Sequence, residues 1–187
     1  DWYFNWTTNE RFTFCFDCCE FFGSAHHQKF VVVDGQQAFL GGLDFNADDW
    51  DDRRHLADNP LRADSGEKQH HPYHDVQVYL TGPVAKDLAG SFAERWRRAG
   101  GDDLSLPDVP ATQTPCIPRL AIHAPHVAIS RTEARTLTDG HEVHEIRRLY
   151  LDAIASAQEM IYIENQYFSS EAVYHALLDR MRAPDRS

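Results

Sequence analysis

The residues from Gln28 to Val33 form an apolar, β-branched run that stops at Asp34-Gly35, and Gln37 to Gly41 resumes it. Asp-Gly between two such runs is a strong two-residue hairpin signal, so the chain is committed to an antiparallel strand pair here. His27 and Lys29 stand two apart at the head of the first strand. On an extended backbone their side chains share a face and can converge on one small anion. A neutral imidazole can attack phosphorus, and an ammonium can offset the charge that develops on the non-bridging oxygens, so the pair suits a phosphate and needs no metal or other cofactor. Asp34 differs in parity from His27 and is expected to brace the turn rather than touch substrate.

The rest of the chain reads as alternating elements. Arg11 to Asp17 alternates like a strand. Leu43 to His74 is polar, crowded with Asp, Arg and His, and too long for an ordinary connection, which suggests a lid or rim over a site. Asp75 to Leu80 is a predicted strand. Val84, Leu88, Phe92 and Trp96 then recur at helical spacing, with Thr81 available as a cap, Pro83 in the first turn and Gly100-Gly101 at the end. Phe92 and Trp96 are expected in the core.

Pro107, Pro110, Pro115, Pro118 and Pro125 preclude a continuous helix and mark a linker. The expected organisation is therefore a first lobe over 1–125 and the beginning of a second, truncated lobe over 126–187. In the latter, His126 to Ser130 and Met160 to Glu164 read as strands, and Glu142 to Ala157 and Glu171 to Met181 as helices. A hairpin followed by alternating helices and strands argues for a layered α/β fold with a mixed sheet.

Composition narrows the function. In 187 residues, 42% hydrophobic and 12% aromatic content suffices for a packed core. The formal net charge of -11 disfavours nucleic-acid partners, whose sequence-independent binding depends on neutralising phosphates. Lysine stands only at Lys29, Lys68 and Lys86, which makes Lys29, inside an apolar run, conspicuous. Cys15, Cys18 and Cys19 include a CxxC spacing, but no second pair follows, so buried reduced thiols are a better reading than zinc. No apolar run approaches membrane-spanning length. The expected location is cytoplasmic or peripheral to a membrane, with a parent chain that can itself be membrane-associated.

The string His27-x-Lys29-x4-Asp34, followed by Gly41-Gly42-Leu43-Asp44, closely resembles the HKD signature of the phospholipase D superfamily. Trp50-Asp51 resembles the family's WD element, HPYHDVQVYLTGPV its HDV strand and following helix, and IYIENQYF the strand that opens its second repeat. The resemblance implies a duplicated α/β sandwich in which each half brings one HKD motif to a shared site. One histidine becomes a phosphohistidine; the other protonates the leaving alcohol and then activates water.

Carried over by position, His27 is the first-half histidine, Lys29 its phosphate contact, and Asp75 the carboxylate that holds the far ring nitrogen. Such a carboxylate fixes the tautomer and stabilises positive charge on the ring. Asp34, Gly41, Gly42 and Asp44 support the motif. Asp44 stands where many members carry Asn, and an anion there repels phosphate unless it is turned away or paired. Trp50, Asp51, Glu164 and Gln166 are candidates for a substrate rim. His70, His71 and His74 read as polar lid residues rather than metal ligands.

No second HxK occurs in the sequence, so the complementary half is expected from a missing C-terminal region or another subunit, and the fragment alone is expected to be inactive. The implied activity is hydrolysis of a glycerophospholipid by water, or transfer of its phosphatidyl group to an alcohol. The alternatives are a superfamily nuclease and a non-catalytic lobe.

Overall fold

In the computed structural model the hairpin forms from β1 (Phe30–Val33) and β2 (Gln37–Gly41), paired antiparallel with Phe30 opposite Leu40 and Val33 opposite Gln37. Asp34 and Gly35 take φ of 54° and 65°, and Gln36 N–H donates to the Val33 carbonyl at 3.0 Å. Two successive left-handed residues make a turn whose twist matches that of the strands, which is why Asp-Gly belongs here. A third strand, β3 (Gln77–Thr81), pairs antiparallel with the other side of β2, giving the order β1-β2-β3.

The structure describes residues 12–17, 22–63, 69–105, 120–137 and 140–183. The chain divides into two compact units, Asp1–Cys18 with His26–Val127, and Cys19–Ala25 with Ala128–Ser187. In the first, α1 (Pro83–Arg98) packs on the three-stranded sheet. Register places Val32, Ala38 and Leu80 side by side on one sheet face; Ala38 is fully buried, as are Ala85, Leu88 and Ala89 of the helix. Small residues at Ala38, Ala85 and Ala89 allow close approach, and burial of Leu88 stabilises by roughly 2 kcal/mol.

Gly82, at φ 84°, rather than Thr81, precedes the helix, and no side chain caps it; Pro83 opens it because a first-turn residue needs no N–H donor. At its far end Ala99, Gly100 and Gly101 donate to the carbonyls of Arg95, Arg97 and Trp96, with Gly100 at φ 88°. Phe92, expected in the core, is 45% exposed and leans on Trp96 with ring centroids 5.9 Å apart. The buried stripe of α1 is built from its alanines and Leu88 instead.

The second unit holds a short antiparallel pair, β4 (Thr132–Glu133) and β5 (Val143–His144), then α2 (Glu145–Ser156) and α3 (Glu171–Arg182). Glu145, in the first turn of α2, accepts from the backbone N–H and guanidinium of Arg131; these bonds hold its carboxyl below the usual range. Ser170 caps α3 by accepting from Val173 N–H at 3.4 Å. Val143 and Ile154 are buried. The architecture is mixed α/β, with helices set against small antiparallel sheets.

Three expected strands do not form among the described residues. Residues 12–17, 126–130 and 160–164 are extended or irregular without ladder partners. Alternation marks a segment able to lie on a sheet, but its backbone groups still require a neighbouring strand. Met160 and Tyr162 accordingly remain 80% and 76% exposed. Cys18, Cys19, Cys116, Lys68 and the prolines from Pro107 to Pro118 lie outside the described residues.

Candidate active site

The chain reaches β1 through a segment fixed on both sides of His27. The Asp17 carboxylate accepts from Arg95 Nε of α1 at 2.9 Å and pairs with His26 Nε2 at 3.0 Å, while Gln28 Oε1 lies 3.5 Å from the same guanidinium. His26 and Gln28 are thus anchored to the helix, and His27 between them is exposed. The strand itself begins at Phe30, later than the sequence suggests, although Gly41 N–H still donates to the Lys29 carbonyl at 3.3 Å. Lys29 folds back on the residue it is meant to serve: its Nζ donates to the His27 carbonyl at 3.2 Å and pairs with Asp44 Oδ1 at 3.3 Å. Asp44, the anion with no obvious place beside a phosphate, is therefore paired with the lysine.

Gly41 and Gly42 are required by the approach of the chain before β3. A Cβ on Gly41 would stand 2.6 Å from the Val76 carbonyl oxygen, and one on Gly42 would stand 2.5 Å from Asp75 Oδ2. Their absence lets Asp75 close on the end of β2. Its Oδ1 accepts from Gly42 N–H at 3.3 Å and from Val76 N–H at 2.6 Å; the His27 ring is not among its donors. Asp34 sits in the turn at the opposite end of β1.

The segment between Asp44 and Asp75 is not the polar lid that its composition suggests. After a short 3₁₀ turn at Ala47–Asp49, it folds around Arg62, whose side chain is 2% exposed. That guanidinium donates to the carbonyls of His70, Leu56 and Ala57 and to Asp51 Oδ1, the last at 3.1 Å. Asp51 also accepts from the N–H groups of Asp52 and Tyr73 and pairs with His55 Nδ1. Burial pushes the Asp51 carboxyl up, but these bonds outweigh it and hold it below the usual carboxylate range. With 4% of its side chain exposed, Asp51 is an internal anchor and not a substrate rim, because its oxygens already have donors.

Asn59, also buried, accepts from Leu61 N–H and donates to Asp52. Asp52 in turn is held down to about 2, chiefly by the Arg54 side chain. Trp50 is 45% exposed beside this knot. Of the expected polar cluster, His70 Nδ1 lies 3.1 Å from the His71 carbonyl, and His74 packs edge-on against His55 at 5.6 Å. No group of three metal-ligating side chains occurs among the described residues.

The Asp51–Tyr73 bond carries the knot's order to the site. The Tyr73 phenol feels the fields of Asp49, Asp75 and Asp44, which, together with burial, push its ionisation up, Asp49 contributing most. Beside them opens an apolar depression of about 440 Å³, lined by Lys29, Val31, Phe39, Leu43, Phe45 and Gln77. Within the first unit, then, Lys29 pairs with Asp44, and Gly42 with Asp75. Arg62, Asn59, Asp17 and Arg95 escaped the sequence reading; an arginine in a polar loop gives no signal that it is buried.

Glu164 and Gln166 belong to the second unit. Glu164 accepts from the Tyr162 hydroxyl at 3.0 Å, which raises the phenol's pKa, and lines an apolar groove of about 860 Å³ with Ile146, Tyr150, Ile163 and Phe168. Gln166 is exposed.

His27-x-Lys29 leads into the hairpin at the end where Gly41-Gly42 leaves it, and Asp75 closes on that same end. The family described as Phospholipase D matches residues 9–180, and the chain belongs to that family. It is similar to Phospholipase D alpha 1 of Oryza sativa subsp. japonica, with 29% identity over 193 residues covering 76% of this chain and 24% of that protein. The same shares hold for Phospholipase D alpha 1 of Zea mays at 28% identity. Phospholipase D A of Dictyostelium discoideum is 29% identical over 174 residues, covering 78% of this chain and 13% of that one. The chain thus spans about a quarter of the length of these plant relatives. Among the described residues no helix is long and apolar enough to cross a membrane.

Proposed function

We propose that this chain supplies the first half of a phospholipase D-type active site, with residues 1–125 as its first lobe and 126–187 as the start of the second. His27 attacks phosphorus through an unprotonated ring nitrogen. A P–N bond forms, the P–O bond to the leaving alcohol breaks, and that oxygen takes a proton from an acid outside this chain's own motif. Water then attacks the phosphohistidine, losing a proton to the same group, and the P–N bond breaks to give a phosphomonoester. An alcohol in place of water yields a new diester.

The observation that carries this reading is the position of Lys29 Nζ, 3.2 Å from the His27 carbonyl and so beside the attacking residue. There its charge can offset the developing negative charge on the phosphoryl oxygens. Asp75 is the carboxylate available to orient the ring. Both of its hydrogen bonds use Oδ1, and Oδ2 is the oxygen that would accept from the imidazole N–H. The substrate is a glycerophospholipid with water or an alcohol as acceptor, and the second histidine comes from a complementary half. The sequence holds no second HxK to protonate the leaving group, so without the complementary half turnover should be negligible.

Product analysis tests the proposal. The chain, with and without a complementary half bearing the second motif, is incubated with phosphatidylcholine vesicles and 1-butanol. Phosphatidylbutanol should appear only with the complement and should vanish in His27→Ala. Intact lipid with the complement, or cleavage of DNA in place of lipid, contradicts it.

A further inference from the structure

Lys29 meets substrate as half of an ion pair. Asp44 Oδ1 lies 3.3 Å from its Nζ, with the lysine side chain 12% exposed and the aspartate 56% exposed. An anion docking on Lys29 therefore approaches a pair whose formal charge is zero. That changes how its own charge is read.

Against a lone ammonium, each added negative charge on a ligand strengthens attraction. Against an ammonium with a carboxylate beside it, the added charge is attracted and repelled together, and the gain largely cancels. A phosphodiester carries one negative charge, whereas a phosphomonoester gains a second above a pKa of about 6. From this contact we infer that Asp44 is a specificity-determining residue that removes the lysine's preference for dianions, so that a phosphomonoester product binds the site no more tightly than a phosphodiester. The inference rests on the reading of Lys29 as the phosphate contact. It also gives a chemical reason for an acid at this position: hydrolysis turns a monoanion into a dianion, and product that bound more tightly than substrate would block the site.

The test is a ³¹P NMR titration of the protein with dimethyl phosphate, a monoanionic diester, and with inorganic phosphate at about pH 8, where the dianion dominates. For the wild type the two dissociation constants should be similar. Asp44→Asn, which keeps size and hydrogen bonding but removes the charge, should tighten inorganic phosphate by about threefold, as expected for a partly exposed pair, and dimethyl phosphate by clearly less. Asp44→Glu should keep the wild-type ratio, and circular dichroism checks that each variant is folded. Equal changes for both anions in Asp44→Asn, no change for either, or an Asp44→Glu that behaves like Asp44→Asn overturns the inference. Lys29→Gln separates it from its premise: binding of both anions should weaken, and if neither changes, the phosphate-contact reading itself fails.

Discussion

The Asp51 carboxylate and the Arg62 guanidinium meet at 3.1 Å in the interior of the first unit, with 4% and 2% of their side chains exposed. Their pairing turns the described parts of a polar stretch, 45–63 and 69–74, into a folded support, because the same guanidinium ties three backbone carbonyls and the same carboxylate takes Tyr73 N–H. Through Tyr73 the chain is delivered to Asp75 and thence to Gly42. The candidate site is thus backed by a salt bridge in the interior of the first unit.

Removing one partner of a buried pair leaves the other charge uncompensated, which costs more than removing both. Arg62→Met should lower Tm by on the order of 10 °C and speed amide exchange through 51–63 and 69–75. Adding Asp51→Leu should recover part of that loss. Thermal melts of the single and double variants check this, and a double variant less stable than Arg62→Met would show that the pair itself is not the support.

Asp52 ties acid stability to the same segment. Its carboxyl is held at about 2 in the folded chain, below the ordinary 3.8, first by the Arg54 side chain. A depressed pKa means the stabilisation is fully present above the ordinary value and is lost as pH falls toward the folded one. Melts between about pH 4 and pH 2 should show a steeper decline for the wild type than for Asp52→Asn. Parallel curves would remove Asp52 from the account.

Gly42→Ala would place a Cβ 2.5 Å from Asp75 Oδ2. The cost should be about 1–3 kcal/mol by chemical denaturation, with Asp75 pushed off the Gly42 N–H. Because the two residues are in contact, Gly42→Ala with Asp75→Ala should be less destabilising than the sum of the single changes. Strict additivity would mean that the close approach is not what demands glycine.

Where the sequence was legible, local chemistry dictated structure. Asp34-Gly35 demands a left-handed turn, and Pro83 with Gly100-Gly101 brackets α1. The strands expected at 126–130 and 160–164 failed because alternation cannot say whether a partner strand will be present. Asp51 and Arg62 were hidden for a related reason. Charged residues in a Gly- and Pro-punctuated stretch look solvated, and only the closing of the loop on itself makes one arginine the donor to several carbonyls. Of the site, spacing marked His27 and Lys29, and the family resemblance marked Gly41, Gly42 and Asp75. The pairing of Lys29 with Asp44, and the anchoring of His26 to Asp17 and of Gln28 to Arg95, depend on contacts that no spacing encodes.

The central claim is that the His27 imidazole attacks phosphorus, and a phosphodiester with a p-nitrophenolate leaving group tests it most directly. That group departs without protonation, so the missing acid is not required. The account predicts a burst of nitrophenolate approaching one equivalent per chain, with an acid-labile phosphoryl adduct mapped by mass spectrometry to His27 and absent from His27→Ala. A folded protein that forms no adduct with this substrate, or one that forms the same adduct after His27→Ala, would contradict it.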